Sequence, residues 1–262
     1  MQKIFQVKVF GIIPARYAST RFPGKPLAQL DGWSMVEWVY RRASKVFETV
    51  AVATDDERIA AEVRRFGGLA VMTSPDHQSG TDRCAEALTL IQAETDTKAD
   101  VVVNIQGDEP FVDPELLSRL AACFDNMSTQ IATVVKPFEN TNDLLNPNHV
   151  KVVLNAVGRA IYFSRSPIPF IRDFPQEEWI NRHIYYWHLG LYAYRADVLV
   201  RLAHLSSSPL EIAESLEQNR WLENDYLIRV IPTSGENVSV DTPEDLLYAQ
   251  SVIEKFKNSL MP

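Results

Sequence analysis

Apolar and polar positions follow two rhythms along this chain, and the switches between them predict its elements. Residues 7–13 form a nearly unbroken apolar run, read as a first strand. Across 33–47, apolar side chains fall at 35, 36, 39, 43, 46 and 47, the spacing of an amphipathic helix. Residues 50–54 read as a short strand. Asp55-Asp56 then open a helix to about Phe66, where Gly67-Gly68 stop it. A strand over 69–72 and a helix over 81–92 follow. Residues 101–105 form a strand of the kind covered on both faces. Residues 114–124 read as a helix with Asp113 as cap and Pro114 in its first turn. Strands and helices in alternation, with short links, predict a parallel, doubly wound α/β sheet.

After about residue 130 the rhythm changes. Strands are predicted over 131–136, 150–154 and 159–163, the last two joined by the turn Asn155-Ala156-Val157-Gly158. Residues 166–187, rich in proline, aromatics and charge, read as irregular. A strand over 189–194, a helix over 196–204 and a second helix over 209–222 come next. Strands at 227–232 and 238–240 precede a final helix from Thr242-Pro243-Glu244 to about Phe256. The expected architecture is one domain over 1–262, with a small mixed-sheet subdomain inserted at about 137–195.

Composition narrows the function. The chain has 262 residues, 46% of them hydrophobic, and a formal charge of −8. An acidic chain is poorly suited to a nucleic acid backbone, so no nucleic acid partner is expected. It can still bind a small anion where its cations cluster. Cys84 and Cys123 both lie in apolar stretches and are expected to be buried free thiols. The N-terminus alternates polar and apolar residues and does not read as a signal peptide. No apolar run approaches the ~18 residues of a membrane span. The expectation is a soluble, cytoplasmic protein with no membrane partner.

The cations do cluster. The first strand runs into Ile-Pro-Ala-Arg16-Tyr-Ala-Ser-Thr-Arg21-Phe-Pro-Gly24-Lys25-Pro-Leu. Arginine clasps two phosphate oxygens with a planar fork, lysine is a mobile point charge, and glycine lets backbone N–H groups approach an anion. The loop is read as a grip for a nucleoside triphosphate, although it lacks Walker A spacing. Asn104-Ile105-Gln106-Gly107-Asp108-Glu109-Pro110 follows the most apolar strand, at the sheet edge where open α/β folds bind ligands. An acid there can hold Mg²⁺, which takes oxygen ligands and substrate phosphates. Asp108 is favoured, with Glu109 shaping the turn. Asp241 precedes a helix start and is the best-placed second carboxylate, although it and Thr242 would also serve as capping residues. Ser79-Gly80-Thr81-Asp82-Arg83 opens a helix whose first N–H groups can meet an anion. In the second half, Arg165, His188, Tyr192, Glu217 and Gln218 are candidates for a polar acceptor pocket, but spacing alone favours packing and surface roles for them. No His-Glu-x-x-His or Gly-x-Ser-x-Gly pattern occurs.

Taken together these segments resemble the 3-deoxy-manno-octulosonate (Kdo) cytidylyltransferases, or CMP-Kdo synthetases. The likeness includes the opening loop, Ala53-Thr54-Asp55, Met72-Thr73-Ser74, Ser79–Arg83 and Gln106-Gly107-Asp108-Glu109-Pro110. It continues through His149–Val153, Tyr162-Phe163-Ser164-Arg165, His188–Tyr194, Leu216-Glu217-Gln218 and Val240–Asp245, in order over nearly the whole chain. The opening loop alone would also suggest related sugar nucleotidyltransferases.

The resemblance implies a three-layer α/β/α nucleotidyltransferase fold like that of the nucleotide-diphospho-sugar transferases. It implies a homodimer whose smaller subdomain serves dimerisation, CTP and Kdo as substrates, Mg²⁺ as cofactor, and a role in lipopolysaccharide biosynthesis. By this similarity Arg16 and Lys25 act in catalysis with Asp108. Arg16, Arg21, Lys25, Ser79, Arg83 and Gln106 bind the nucleotide. Asp108 and Asp241 hold the metal, and Arg165, His188, Tyr192, Glu217 and Gln218 line the sugar site. Residues 171–187 match nothing in the pattern, Ser239 stands where a smaller residue is usual, and Asn224-Asp225 stand where a glycine is expected after a helix. Two other readings are a cytidylyltransferase for an amino analogue of Kdo or another acidic sugar, and a non-catalytic nucleotide sensor.

Overall fold

The computed structural model describes residues 7–18, 21–235 and 238–257. The chain divides into two compact units. One holds the residues up to Ala122 together with those from Gly235 onward, and the other is Cys123–Ser234.

The first unit is built on strands β1 (Val9–Ala15), β4 (Thr49–Thr54), β5 (Leu69–Met72) and β6 (Val101–Asn104), with a small antiparallel ribbon of β2 (Gln29–Leu30) and β3 (Trp33–Ser34) beside them. The four larger strands are parallel, in the order β6-β1-β4-β5. Helices α1 (Met35–Ala43), α2 (Glu57–Arg65), α3 (Gly80–Thr95) and α4 (Pro114–Ala122) connect and cover them. All four residues of β6 are buried, as are Phe10, Ile12 and Ile13 of β1. Successive strand residues face opposite ways, so both faces of these strands are covered, as a three-layer α/β fold requires. Caps set the helix starts: the Asp56 side chain accepts from Arg58 N–H, and that of Ser79 accepts from Asp82 N–H. Helix α1 is shorter than the expected 33–47, because Trp33 and Ser34 pair in the ribbon and Ser34 becomes its N-cap residue.

In the second unit, β7 (Ile131–Pro137) lies between β10 (Tyr186–Arg195), antiparallel, and β11 (Ile228–Pro232), parallel. Strands β8 (Lys151–Leu154) and β9 (Ala160–Ser164) form a hairpin whose first strand pairs with β10. The Asn155 side chain turns that hairpin, accepting from the N–H groups of Val157 and Arg159. Helices α5 (Thr141–Leu145), α6 (Trp179–Arg182), α7 (Ala196–Ala203), α8 (Pro209–Glu214) and α9 (Glu217–Glu223) complete it. This unit is larger than the expected insert at 137–195, since β7 and β11, which bracket that segment in sequence, pair with each other.

The expected single helix over 209–222 is two. Ser215 takes a left-handed conformation at φ 52°, Leu216 is extended and buried, and α9 starts afresh. Asn224, expected to end α9 in a left-handed turn, has φ −103°, and Asp225 at φ 60° takes that conformation instead. Cys84 is buried as expected, whereas Cys123 is only half-buried; neither forms a disulfide.

The chain then returns to the first unit through α10 (Pro243–Val252) and α11 (Glu254–Lys257). Residues 238–240 form no strand. Val238 and Val240 are instead buried in a cluster with Leu30, Met35, Trp38, Phe111, Ala249 and Ile253, and Val240 N–H bonds to Asp108 O at 2.9 Å. Thr242 and Asp245 cap α10 reciprocally, with Pro243 at its first position.

Candidate active site

The strand order of the first unit dictates where a ligand can sit. Chain order runs outward from β1 to β4 and β5 on one side, then jumps back to β6 on the other. The loops after β1 and β6 therefore diverge at a topological switch point, which opens a crevice at the strands' carboxyl ends. A cavity of about 380 Å³ lies there, lined by Arg16, Arg21, Lys25, Ser79, Arg83, Gln106, Asp108 and Asp241, among others. Gly107 lets the two strand ends meet: a Cβ on it would stand 3.1 Å from Pro14 O.

Charge pairs organise the cavity. Lys25 Nζ donates to Asp108 Oδ2 at 2.7 Å and to Asp241 Oδ1 at 3.0 Å, and Arg21 Nη2 reaches the same Asp241 oxygen at 3.1 Å. Two carboxylates thus converge on one ammonium. Asp241 is fixed by its neighbours, Val240 in the buried cluster and Asp245, whose side chain accepts from Asp241 N–H at 3.0 Å. Arg83 is buried, with Nη1 on Thr73 Oγ1 at 2.6 Å and Nη2 3.4 Å from Asp55 Oδ2.

The sequence reading passed over His77 and Gln78, which also line the cavity. His77 Nε2 lies 2.5 Å from Glu86 Oε2, and that oxygen also accepts from Ser74 N–H at 2.8 Å. Burial pushes the Glu86 carboxyl up, but these bonds outweigh it and hold the group below its ordinary range. A histidine two residues before the Ser79 cap was the available signal.

The five acceptor-site candidates all lie in the second unit, in two clusters. On β10 a register irregularity between His188 and Tyr192, with Gly190 at φ 71°, brings the two rings together, with centroids 5.1 Å apart. Thr133 Oγ1 donates its one proton to Leu191 O at 2.8 Å, so its 3.0 Å contact with His188 Nε2 must be accepted from an N–H. Burial lowers the His188 pKa to about 3, so the ring is neutral at pH 7 and its Nδ1 is an acceptor. Tyr192 Oη is buried, and burial, then Tyr194 and Glu217, raise its pKa, with a hydrogen bond to Thr133 acting the other way. Gln218 is buried on α9, and Glu217 accepts from Arg220 Nη2 at 2.9 Å.

Arg165 is less available than the sequence reading assumed. Its Nε donates to Glu214 O at 2.7 Å, Nη1 to Pro147 O at 3.1 Å and Nη2 to Ser215 O at 3.3 Å. Three of its five N–H groups are thus engaged, two of them at the corner between α8 and α9 and one on the segment after α5. Glu214, which sequence reasoning did not single out, anchors the same corner by accepting from Ser164 Oγ, Tyr162 Oη and Arg165 N–H. Lys151 was missed too. It is fully buried, and its ammonium donates to Asn146 O and Arg165 O, both at 2.8 Å. Burial first, and the Arg165 charge second, lower its pKa to about 8.

Known proteins resemble this chain over nearly its whole length. A family model described as cytidylyltransferase matches residues 10–229. A 3-deoxy-manno-octulosonate cytidylyltransferase of Bacteroides thetaiotaomicron is 54% identical, covering 95% of this chain and 99% of its own length. One of Geobacter metallireducens is 47% identical, over 95% of this chain and 98% of its own. Among solved structures, a CMP:2-keto-3-deoxy-manno-octonic acid synthetase complexed with CTP is 39% identical, with TM-score 0.85, over 95% of this chain and 99% of that one. A cytidylyltransferase of Leptospira borgpetersenii shares the fold at 18% identity and TM-score 0.61, over 96% of this chain and 88% of that one.

Proposed function

The chain belongs to the 3-deoxy-manno-octulosonate cytidylyltransferase family, and from that premise we propose that it transfers CMP from CTP to Kdo, releasing pyrophosphate. The observation that carries this reading is the cavity at the switch point, where Arg16, Arg21 and Lys25 surround two convergent carboxylates. The anomeric hydroxyl oxygen of the sugar bonds to the α-phosphorus, the bond to the bridging oxygen breaks, and pyrophosphate leaves with that electron pair. The hydroxyl proton passes to solvent. No covalent enzyme intermediate is needed, so positioning and charge neutralisation do most of the catalysis.

Arg16, Arg21 and Lys25 meet the triphosphate and take up the charge that grows on the departing pyrophosphate. Ser79, Arg83 and Gln106, which line the same cavity, bind the nucleotide in this reading. The donor set of Asp108 and Asp241 fits Mg²⁺: two carboxylate oxygens face one cation, here the Lys25 ammonium. Mg²⁺ held by two carboxylates would complete its shell with substrate phosphates and water. Held by Asp108 and Asp241, it would supply Lewis acidity to the α-phosphate and the attacking hydroxyl. The proposed sugar site uses His188 Nδ1, Tyr192, Glu217, Gln218 and the two remaining N–H groups of Arg165.

The setting we propose is a cytoplasmic homodimer that serves lipopolysaccharide synthesis. Exposed Ile161, Phe170 and Ile184 of the second unit support a dimer, which light scattering would test. No helix among the described residues is long and apolar enough to cross a membrane. The activity is tested by incubating the protein with Mg²⁺, each nucleoside triphosphate in turn and a panel of acidic sugars, and following pyrophosphate release. Release confined to CTP with Kdo is the expected result. Release with an amino analogue instead reassigns the acceptor, and nucleotide binding with no release in any combination makes the protein a sensor.

A further inference from the structure

The cation loop is fastened from outside its cavity, at Tyr17. The Tyr17 carbonyl accepts from Gly24 N–H at 3.0 Å, which ties together the two ends of the segment 17–24. The Tyr17 ring lies so close to Gly24 that a Cβ there would meet ring carbons at 3.1 Å, and Gly24 has φ 71°, so this position favours glycine on both counts. The ring has a second neighbour. The guanidinium carbon of Arg58, in the first turn of α2, stands 3.3 Å from the ring centroid. Asp56, the cap of α2, orients that guanidinium with bonds to Nε at 2.9 Å and to Nη2 at 2.6 Å. Arg58 does not line the triphosphate cavity. It borders a separate shallow hollow with Leu27, Gln29, Ala61, Glu62 and Arg65.

A loop that must hold three cations around one anion loses conformational freedom when it binds. Anchoring its first ring to a capped helix removes part of that loss in advance. We propose that Arg58 is a positioning residue for nucleotide binding. By stacking on Tyr17 it keeps Arg16, Arg21 and Lys25 in register for the phosphates, without touching the substrate. This inference rests on the reading of the cavity as a triphosphate site.

The test is steady-state kinetics with CTP varied, together with melting temperatures, for Arg58→Ala, Arg58→Lys, Tyr17→Leu, Tyr17→Phe and the double variant Arg58→Ala/Tyr17→Leu. Arg58→Ala is expected to raise KM for CTP by about two- to fivefold, the effect of one exposed cation–ring contact, with kcat and Tm close to wild type. Tyr17→Leu should raise KM by a similar factor, and the double variant no further than the larger single one. Tyr17→Phe keeps the ring and Arg58→Lys keeps a cation, so both should restore most of the affinity. A wild-type KM in Arg58→Ala, a fall in kcat alone, or factors that multiply in the double variant would each overturn the proposal. Lys25→Met, run alongside, separates the two levels. If it leaves CTP affinity unchanged, the cavity reading falls and takes the latch with it. If it weakens CTP while Arg58→Ala does not, only the latch falls.

Discussion

The cavity after β1 and β6 is held together by charges that face one another, whereas in the second unit His188 is held by a neutral bond and Arg165 and Lys151 by backbone carbonyls. Lys25, Asp108, Asp241 and Arg21 form a chain of ion pairs in which both carboxylates keep some exposure. Such pairs are partly screened and exchangeable. A polyphosphate can take over the Lys25 ammonium, and a cation can take its place between the acids, with no charge left unpaired. His188, Tyr192 and Gln218 are buried, and Arg165 and Lys151 are engaged with carbonyls. Buried polar groups in fixed bonds are costly to move. The difference suits a charged, reacting ligand on one side and a shape-selected acceptor on the other.

The sharpest way to break this contrast is Asp108→Asn. It should lower turnover by roughly a thousandfold or more, because it removes a charge needed only around the reacting phosphate. The fold should stand, since the Asp108 carbonyl that receives Val240 N–H is untouched. Pyrophosphate release and a melting curve check both halves. Wild-type-like turnover would remove Asp108 from the mechanism.

Lys25→Met tests exchangeability directly. Its kcat/KM should fall by roughly 10²-fold, the scale of one preorganised cation at a developing charge. The two acids also lose their shared partner, so Mg²⁺ alone should raise the Tm of this variant more than that of wild type. Equal shifts in a thermal melt with and without Mg²⁺ would argue against a metal site at Asp108 and Asp241.

In the second unit the corresponding lever is pH. The folded pKa of Lys151 is about 8, below its ordinary value of 10.5. Between those values the unfolded chain binds more protons than the folded one, so stability from this group rises as pH increases. Below pH 8 both states carry the charge, and the full cost of burying it remains. Relative to Lys151→Met, the wild-type protein should therefore gain up to about 3 kcal/mol between pH 8 and 10.5. Denaturant melts across that range measure it, and a flat difference would show that burial does not perturb Lys151.

The smallest effect is expected from Tyr192→Phe. The hydroxyl's contact is with Thr133, whose own proton goes to Leu191 O, so its removal should change stability by no more than about 1 kcal/mol. KM for the sugar should rise while KM for CTP stays put. A large fall in Tm would instead make Tyr192 a core residue.

Much of the first unit was legible in advance because its signals are local. The continuous apolar run of β6, the Asp56 and Ser79 caps and the strand over 69–72 match the structure closely. The second unit was harder to read. The pattern over 209–222 is helical throughout, yet Arg165 draws the Glu214 and Ser215 carbonyls out of it and the helix breaks. The apolar residues Val238 and Val240 suggested a strand but serve as plugs in a distant cluster. Arg165 read as a cation waiting for a carboxylate because nothing in its own segment reveals three carbonyls from other elements.

By itself, the sequence determined the caps that start α2 and α3, that β6 is a buried strand, and that three cations share one loop. Those outcomes depend on energies within a few residues: caps, side-chain periodicity and turn conformations. Only the tertiary structure decided that Lys25 meets an acid 216 residues away, that Tyr17 meets Arg58, and that Lys151 is buried beneath Arg165. These contacts follow from which apolar faces pack together, and a charged side chain carries no local mark of the partner that packing will bring to it.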